Sequence, residues 1–405
     1  MPYRKMFNKM TLRDIPVEEL KGKKVFVRVD FNVPIENGVI MNDKRIRAAV
    51  PTINYLIDHG AKVILCSHLD RPKGWDPSLS LKPVADRLHT LLEREVRFIP
   101  DCVGEVVEKA VEEMNPGDVA LLENVRFYPE ETKNDPEFAK KLARLADIYV
   151  NDAFGTAHRK HASTYGITEF VSIAVAGFLL EKEIKYLQMA LENPERPMAL
   201  IIGGSKVSGK LEVIKNLLKI VDKMLVGGGM AYTFLKASGY EVGKSLVEEE
   251  LIDTAREIME EADKKGVKFY IPVDSNNADQ FSPTAHSKLT TYKEIPENMM
   301  GLDIGPATVE LFKEALSDAK TILWNGPMGV FEFEKFRYGT MAIGKIVAEH
   351  KEALRIVGGG DSVAAIEMLG LEHEVDHVST GGGAFLQFLA GKELPGVIAL
   401  SDKPQ

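Results

Sequence analysis

Only two cysteines, Cys66 and Cys102, occur in 405 residues, and they show no Cys-x-x-Cys spacing. A disulfide framework is excluded, and buried or inert thiols in a reducing compartment are expected. Long apolar runs are missing too. The opening residues, MPYRKMFNKMTLRDIP, contain neither the uninterrupted apolar core nor the small-residue cleavage site of a secretory signal. The expected location is cytoplasmic, with no membrane partner. Positive charge is in short supply: the formal net charge is -9, which argues against a general nucleic-acid binder because phosphate-backbone binding needs a basic face. Any basic patch must be local. A hydrophobic fraction of 45% with 27% charged residues is ordinary for a globular protein, and the length implies two or three domains with their own cores.

The first half also lacks any Gly-Gly pair, whereas the second half repeatedly runs from a strand-like stretch into clustered glycines. These are ALIIGGSKVSGK ending at Lys210, KMLVGGGMAY around Gly228, TILWNGPMGV around Gly326, LRIVGGGDSVAA around Gly359 and HVSTGGGAF around Gly382. Glycine permits positive φ and puts no Cβ between backbone N–H groups and a phosphate, and a following helix N-terminus adds partial positive charge. A nucleotide site is expected in the second half.

Short apolar runs at 24–31 (KVFVRVDF), 62–67 (KVILCS), 96–100, 119–123 (VALLE) and 146–151 (ADIYVN) alternate with helix-period stretches such as RIRAAVPTINYLIDHG. That rhythm predicts βα units on a largely parallel sheet. The second half repeats it, with KLEVIKNLLKIVD placing Leu211, Ile214, Leu218 and Val221 on one helical face. Two α/β sheets are therefore expected. Between them, GFLLEKEIKYLQMALENPERP carries Leu180, Ile184, Leu187 and Leu191 at helical spacing and stops before Pro194 and Pro197, reading as an interdomain helix.

The segment from Gly204 to Lys210 fits the phosphate-loop spacing G-x-x-x-x-G-K, but Leu211 follows where a phosphate-loop NTPase needs Ser or Thr for Mg²⁺. Lys206 and Lys210 nonetheless sit beside a glycine turn at a helix start. GGGMAYTF and GGGDSVAA both lack the last glycine of G-x-G-x-x-G, so a dinucleotide fingerprint is not supported. Asp361 and Ser362 stand just before a helical run, where either serves as an N-cap or, for Asp361, as an oxygen ligand of a nucleotide's Mg²⁺.

In the first half, Asp30, Asn32, His68, Arg71, Arg126, His158 and Arg159 follow strand-like runs, and Arg45 opens a helix. Ligands of parallel α/β sheets bind beyond the carboxyl ends of strands. Each arginine alone reads as a solvated surface charge, but their recurrence at strand ends suggests a small, multiply anionic acceptor held by bidentate hydrogen bonds.

Taken in order, these blocks resemble the phosphoglycerate kinase family along nearly the whole chain. They are RVDFNVP from Arg28, SHLDRP from Ser67, LLENVRFYPEE from Leu121, NDAFGTAHRKH from Asn151, GGSKVSGK from Gly203, GGGMAYTF from Gly227, WNGPMGVFE from Trp324, GGGDS from Gly358 and STGGGA from Ser379. The resemblance implies an α/β fold of two doubly wound parallel-sheet domains joined by an interdomain helix and hinge. The acceptor domain would span 1–177, with the tail 391–405 packing back on it; the helix would be 178–193 and the nucleotide domain 194–390.

The implied reaction is reversible transfer between ATP and the carboxylate of 3-phosphoglycerate, giving ADP and 1,3-bisphosphoglycerate, in glycolysis and gluconeogenesis. Carried over by motif, Asp30, Asn32, Arg45, His68, Arg71, Arg126 and Arg159 would hold the acceptor. Lys206, Lys210, Gly227, Gly228, Asn325, Pro327, Glu332, Gly358, Gly359, Asp361 and Ser362 would hold the nucleotide, with Asp361 on Mg²⁺. Arg45, Lys206, Lys210 and the helix N-termini after Gly359 and Gly382 would neutralise the transferring group. A monomer is implied, a homodimer being the alternative. Three positions depart from the family's commonest pattern: Asp70 and Gly209 stand where glycine and aspartate are usual, and Ser205 replaces a usual alanine. The rivals among enzymes are a phosphate-loop NTPase or another small-molecule kinase, and outside enzymes a hinged two-domain ligand-binding protein.

Overall fold

The computed structural model describes residues 3–405. The chain forms two compact units: one runs up to Lys185 and takes in Glu393–Gln405, and the other is Tyr186–Lys392. Both free cysteines are buried.

The first unit is built on β1 (Lys24–Arg28), β4 (Lys62–Cys66), β5 (Val96–Ile99), β6 (Val119–Leu122), β7 (Ile148–Asn151) and β8 (Ala174–Ala176), while β2 (Ile35–Glu36) and β3 (Val39–Ile40) form a separate hairpin. The sheet order is β5-β6-β4-β1-β7-β8, and every neighbouring pair is parallel. Strands buried on both faces read as unbroken apolar runs, which is how VALL in β6 and KVILC in β4 appear in the sequence. Val25, Val27, Val63, Leu65, Leu121 and Val150 pack there against Ile46, Ile53, Leu56, Val84 and Leu88 of the helices Lys44–Asp58 and Lys82–Leu92. The strand order reverses beside β1, so loops after β1, β4, β6 and β7 gather at one sheet end. Segment 393–405 completes this unit. Ser401 N donates to Ala174 O at 2.8 Å, and Met10 N donates to Ser401 O at 2.8 Å. Lys9 Nζ lies 2.8 Å from an Asp402 carboxylate oxygen.

The second unit contains β9 (Met198–Ile202), β10 (Lys223–Val226), β11 (Lys268–Tyr270), β12 (Asp274–Ala278), β13 (Ser287–Thr291), β14 (Met300–Asp303), β15 (Thr321–Asn325), β16 (Leu354–Gly358) and β17 (His377–Val378). Its main sheet, β11-β10-β9-β15-β16-β17, is again parallel throughout. Here the order reverses between β9 and β15, which brings the loop after Ile202 beside the loop after Asn325. Trp324, Phe312, Ile343 and Val357 centre its core.

Two local expectations differ from the structure. The helix after Lys210 ends at Leu217, so Leu218 and Val221 are buried by the turns that follow rather than by a continuing helix, and Leu211 is only half-buried. A three-stranded antiparallel sheet, β13-β12-β14, also stands apart from the parallel rhythm. Its strands, DSNNA and SKLTT, are too polar to announce themselves. Buried Asp274 is satisfied instead by N–H groups of Gly305, Ala307 and Thr308 at 2.9–3.1 Å.

The helix Phe178–Leu191 crosses from the first unit to the second at Lys185 and Tyr186. At its start the Asp152 side chain accepts from Leu179 N at 2.9 Å and Leu180 N at 3.3 Å, which satisfies donors left open at a helix N-terminus. Gly177 is required there: a Cβ would lie 2.4 Å from the Asp152 carboxylate.

Candidate functional site

In the first unit, the loop after β1 folds on itself, with Asn32 N donating to Asp30 Oδ1 at 3.1 Å. Arg45, in the first turn of Lys44–Asp58, donates through Nη1 to Asn32 O at 2.8 Å and lies 3.4 Å from Asp30 Oδ1. The loop after β4 joins in: Asp70 N donates to Asn32 Oδ1 at 3.0 Å, and Arg126 Nη1 donates to Asp70 O at 3.0 Å. Asp70 has φ 53, a left-handed conformation that asparagine and aspartate tolerate better than other side chains and that glycine adopts freely. That is the physical meaning of this departure from the family pattern: the residue keeps the backbone turn and adds an exposed carboxylate.

The remaining basic groups are mutually close. Burial pushes the Arg126 guanidinium down to about 10, helped by Arg28, Arg159 and Arg71 and opposed by Glu131. Burial also holds His68 well below the ordinary histidine value, together with the charges of Arg28, Arg126, Arg45 and His161. His161 is pushed down to about 4 by burial and by Arg126, Arg28 and Arg159. His158 is lowered by burial and by Arg159. Arg126 Nε and the Nδ1 atoms of His158 and His161 are buried without a protein partner. Unpaired buried polar atoms are uncommon and call for a ligand or water to complete them. Sequence reading brought Asp30, Asn32, Arg45, His68, Arg71, Arg126 and Arg159 together; it assigned no role to Arg28, His161 or Glu131, which belong to the same cluster.

In the second unit a cavity of about 820 Å³ opens at the reversal of strand order. The loops after β9, β15 and β16 wall it with Gly204, Gly326, Pro327, Gly359 and Gly360, and Lys206, Lys210, Glu332 and Asp361 supply charge. Gly359 has φ 100 and caps the helix Gly360–Met368. Burial draws the Lys210 ammonium down to about 8, with Asp361 opposing. Asp361 is raised by burial and by Glu332, and Lys210 lowers it.

Other glycines expected in the site work behind the wall. A Cβ on Gly228 would lie 2.6–2.8 Å from backbone atoms of Gly204 and Pro327, and one on Gly227 would meet Met328 Sδ at 2.4 Å. Gly358 leaves room for the Phe385 ring. Buried Ser362 donates to Gly358 O at 2.8 Å and accepts from Gly326 N at 3.1 Å, so it ties two glycine loops together. Asn325 is likewise buried and accepts from Lys210 Nζ. Gly382 caps a seven-residue helix, Gly383–Leu389, and lies outside the cavity lining. Lys244, Leu246 and Phe281 also line the cavity and carried no sequence signal, since each comes from a loop without a glycine cluster or periodic pattern.

The sequence profile of the family described as phosphoglycerate kinase matches residues 12–392. The chain belongs to the phosphoglycerate kinase family. The phosphoglycerate kinase of Dictyoglomus turgidum is 57% identical over 395 residues, covering 98% of this chain and 100% of its own. The cytosolic phosphoglycerate kinase of Nicotiana tabacum is 57% identical over 397 residues, covering 97% and 99%. The solved phosphoglycerate kinase of Coxiella burnetii has the same fold, with a TM-score of 0.89 at 43% identity, covering 96% of this chain and 98% of that one. Membership of the phosphoglycerate kinase family makes the chain an enzyme of the kinase class and sets aside the phosphate-loop NTPase and hinged-binder readings.

Proposed function

We propose that the second unit binds ATP with Mg²⁺, that the basic cluster of the first unit binds 3-phosphoglycerate, and that the γ-phosphoryl group passes reversibly to the acceptor's carboxylate. The observation that carries this reading is the glycine-walled cavity with Lys206, Lys210, Asp361 and Glu332 at its charged positions. In this reading residues 1–177 and the tail 391–405 serve the acceptor, 178–193 is the interdomain helix and 194–390 serve the nucleotide.

The acceptor carboxylate is already ionised at neutral pH, with a reference pKa of roughly 3.5, so no general base is required. The chemistry demands relief of repulsion between two anions, and positioning in line. Arg45 would supply one preorganised donor and Lys206 and Lys210 two cations, and the N-terminus of Gly360–Met368 adds backbone N–H groups. Glu332, on the cavity wall, suits the ribose hydroxyls.

A Mg²⁺ ion fits the donor set. This cation is commonly held by one or two carboxylates together with substrate phosphates rather than by an all-protein cage, and Asp361 is an exposed carboxylate on the cavity wall. When bound, it would neutralise phosphate charge; Asp361 would hold it while Lys206 and Lys210 orient the phosphates. Among the described residues no cluster of three or more His, Cys, Asp or Glu forms a metal site, which accords with an ion brought by the nucleotide.

No helix among the described residues is long and apolar enough to cross a membrane, and the tobacco relative is cytosolic by name. A cytoplasmic enzyme of glycolysis and gluconeogenesis, monomeric with a homodimer as the alternative, is the corresponding reading.

The test is ADP formation from ATP, Mg²⁺ and 3-phosphoglycerate, with the acyl phosphate removed by a coupling dehydrogenase. Turnover that depends on 3-phosphoglycerate is expected. Folded, nucleotide-binding protein without such turnover would point to a different anionic acceptor.

A further inference from the structure

Arg28, at the end of β1, is fully buried, and each of its nitrogens is committed. Nε donates to Ser163 Oγ at 2.8 Å and Nη1 to Val29 O at 2.5 Å, while Nη2 lies 3.0 Å from His68 Nδ1. The guanidinium is itself anchored. Ser163 Oγ donates to Glu131 Oε2 at 2.6 Å, and Ser163 N donates to Glu131 Oε1 at 2.7 Å. Tyr149 fixes the same residue by donating from its hydroxyl to Ser163 O at 2.8 Å. Glu131 is fully buried and lies 3.9 Å from Arg28 Nη2, so the buried cation and anion compensate each other through the serine.

A guanidinium has donors only. At 3.0 Å, His68 Nδ1 must therefore accept, and the single ring proton of the neutral imidazole sits on Nε2. Protonating Nδ1 would set two donors head to head. The charges acting on the ring, Arg28, Arg126, Arg45 and His161, all oppose an imidazolium, and Glu131 lies 3.9 Å from Arg28 Nη2. Nε2 makes no hydrogen bond among the described residues.

We propose that Arg28, held by Ser163 and Glu131, is a positioning residue that locks His68 as its neutral Nε2–H tautomer and aims that N–H at an oxygen of the anionic acceptor. The proposal rests on reading His68 as an acceptor-binding residue. It gives the buried network a task that the arginines cannot perform: a neutral, fixed donor recognises oxygen geometry without adding another cation to an already crowded cluster.

The experiment is nitrogen NMR of the full chain labelled at histidine, with His68 assigned by a His68→Gln variant. The expected result is an acceptor-type Nδ1 and a protonated Nε2, unchanged from about pH 8 down to about pH 5, where an ordinary histidine titrates. Adding 3-phosphoglycerate should shift the Nε2 signal. Ser163→Ala cuts the link between Arg28 and Glu131 while keeping both charges. It should admit the second tautomer or titration within that range, and raise KM for 3-phosphoglycerate about tenfold with kcat changed less than about twofold. Arg28→Lys, which keeps the charge but loses the fork, should do the same; if it does not fold, Ser163→Ala carries the test.

A proton on Nδ1 in the unaltered protein, or titration near the ordinary value, would overturn the proposal. So would a locked tautomer that Ser163→Ala leaves unchanged, or a changed tautomer with unchanged KM. Signals of His68 that ignore added 3-phosphoglycerate, in protein that turns it over in the coupled assay, would overturn the presentation of Nε2 while leaving the kinase reading intact.

Discussion

Lys210 donates through Nζ to the side-chain oxygen of Asn325, whose own amide donates to Gly358 O at 2.9 Å. One buried amide therefore joins the loop after β9 to the end of β16 and fixes where the lysine's charge sits. Asn325→Ala should lower kcat about 10- to 100-fold, the loss of roughly 1.4–2.7 kcal/mol of positioned charge, and raise the nucleotide KM less. Steady-state kinetics unaltered in both parameters would show that Lys210 needs no such tether.

The same lysine sets a pH limit. Burial brings it down to about 8, and a lysine is charged below its pKa, so the phosphate-binding form is lost as pH rises through about 8. The ratio kcat/KM for ATP, which reports the free enzyme, should fall above that pH. Lys210→Arg should flatten the fall whatever its absolute rate, and an equal fall in both proteins would assign the limb to another group.

Arg45 and Arg126 should part company in kinetics. Arg45 is exposed and reaches across to the Asn32 carbonyl, whereas Arg126 is half-buried with an unpaired Nε. Arg45→Ala should cost about 3–4 kcal/mol, roughly 10²–10³ in kcat, as for one preorganised donor. Arg126→Ala should mainly raise KM for 3-phosphoglycerate. The reverse pattern would exchange the two roles.

Asp70→Gly should help twice. Its φ of 53 costs an L-residue about 1 kcal/mol that glycine avoids, and its carboxylate lies on the loop that receives Arg126. Expected are a higher denaturation midpoint, after allowance for glycine's greater unfolded-state entropy, and a lower KM for 3-phosphoglycerate. A raised KM would mean that the carboxylate orders the loop.

Asp152 links pH to stability in the first unit. Burial pushes it up to about 6, against an unfolded value of about 3.9. A raised carboxyl contributes stability that is complete below the unfolded value and is lost as pH rises through the folded one. Asp152→Asn keeps an oxygen to accept from Leu179 and Leu180 but cannot ionise. Denaturant midpoints of the unaltered chain should therefore drop relative to the variant between about pH 4 and pH 6. Parallel curves would rule this out.

The parallel sheets were legible because strands buried on both faces must be apolar throughout, and the loops after β9, β15 and β16 because glycine is the only residue for their close approaches. Positions such as Arg28 and Glu131 were not legible. In sequence, a buried arginine next to Val29 looks like any strand-end charge, and its partners lie 40 to 135 residues away in His68 and Ser163. Likewise Asn325 and Ser362 read as ligand contacts, and only the structure shows them as ties between loops. The sheet β13-β12-β14 escaped because its stability comes from hydrogen bonds to buried polar groups rather than from an apolar period.

The tail that completes the first unit has a consequence for synthesis. Ser401 pairs with both Ala174 and Met10, yet it leaves the ribosome after every residue of Tyr186–Lys392. The second unit is contiguous and has all its strands before the first can close its edge at β8. The growing chain therefore carries an amino-terminal unit that has all six of its sheet strands but not its closing tail until the later unit has been made, so the amino-terminal domain cannot finish first in the usual order.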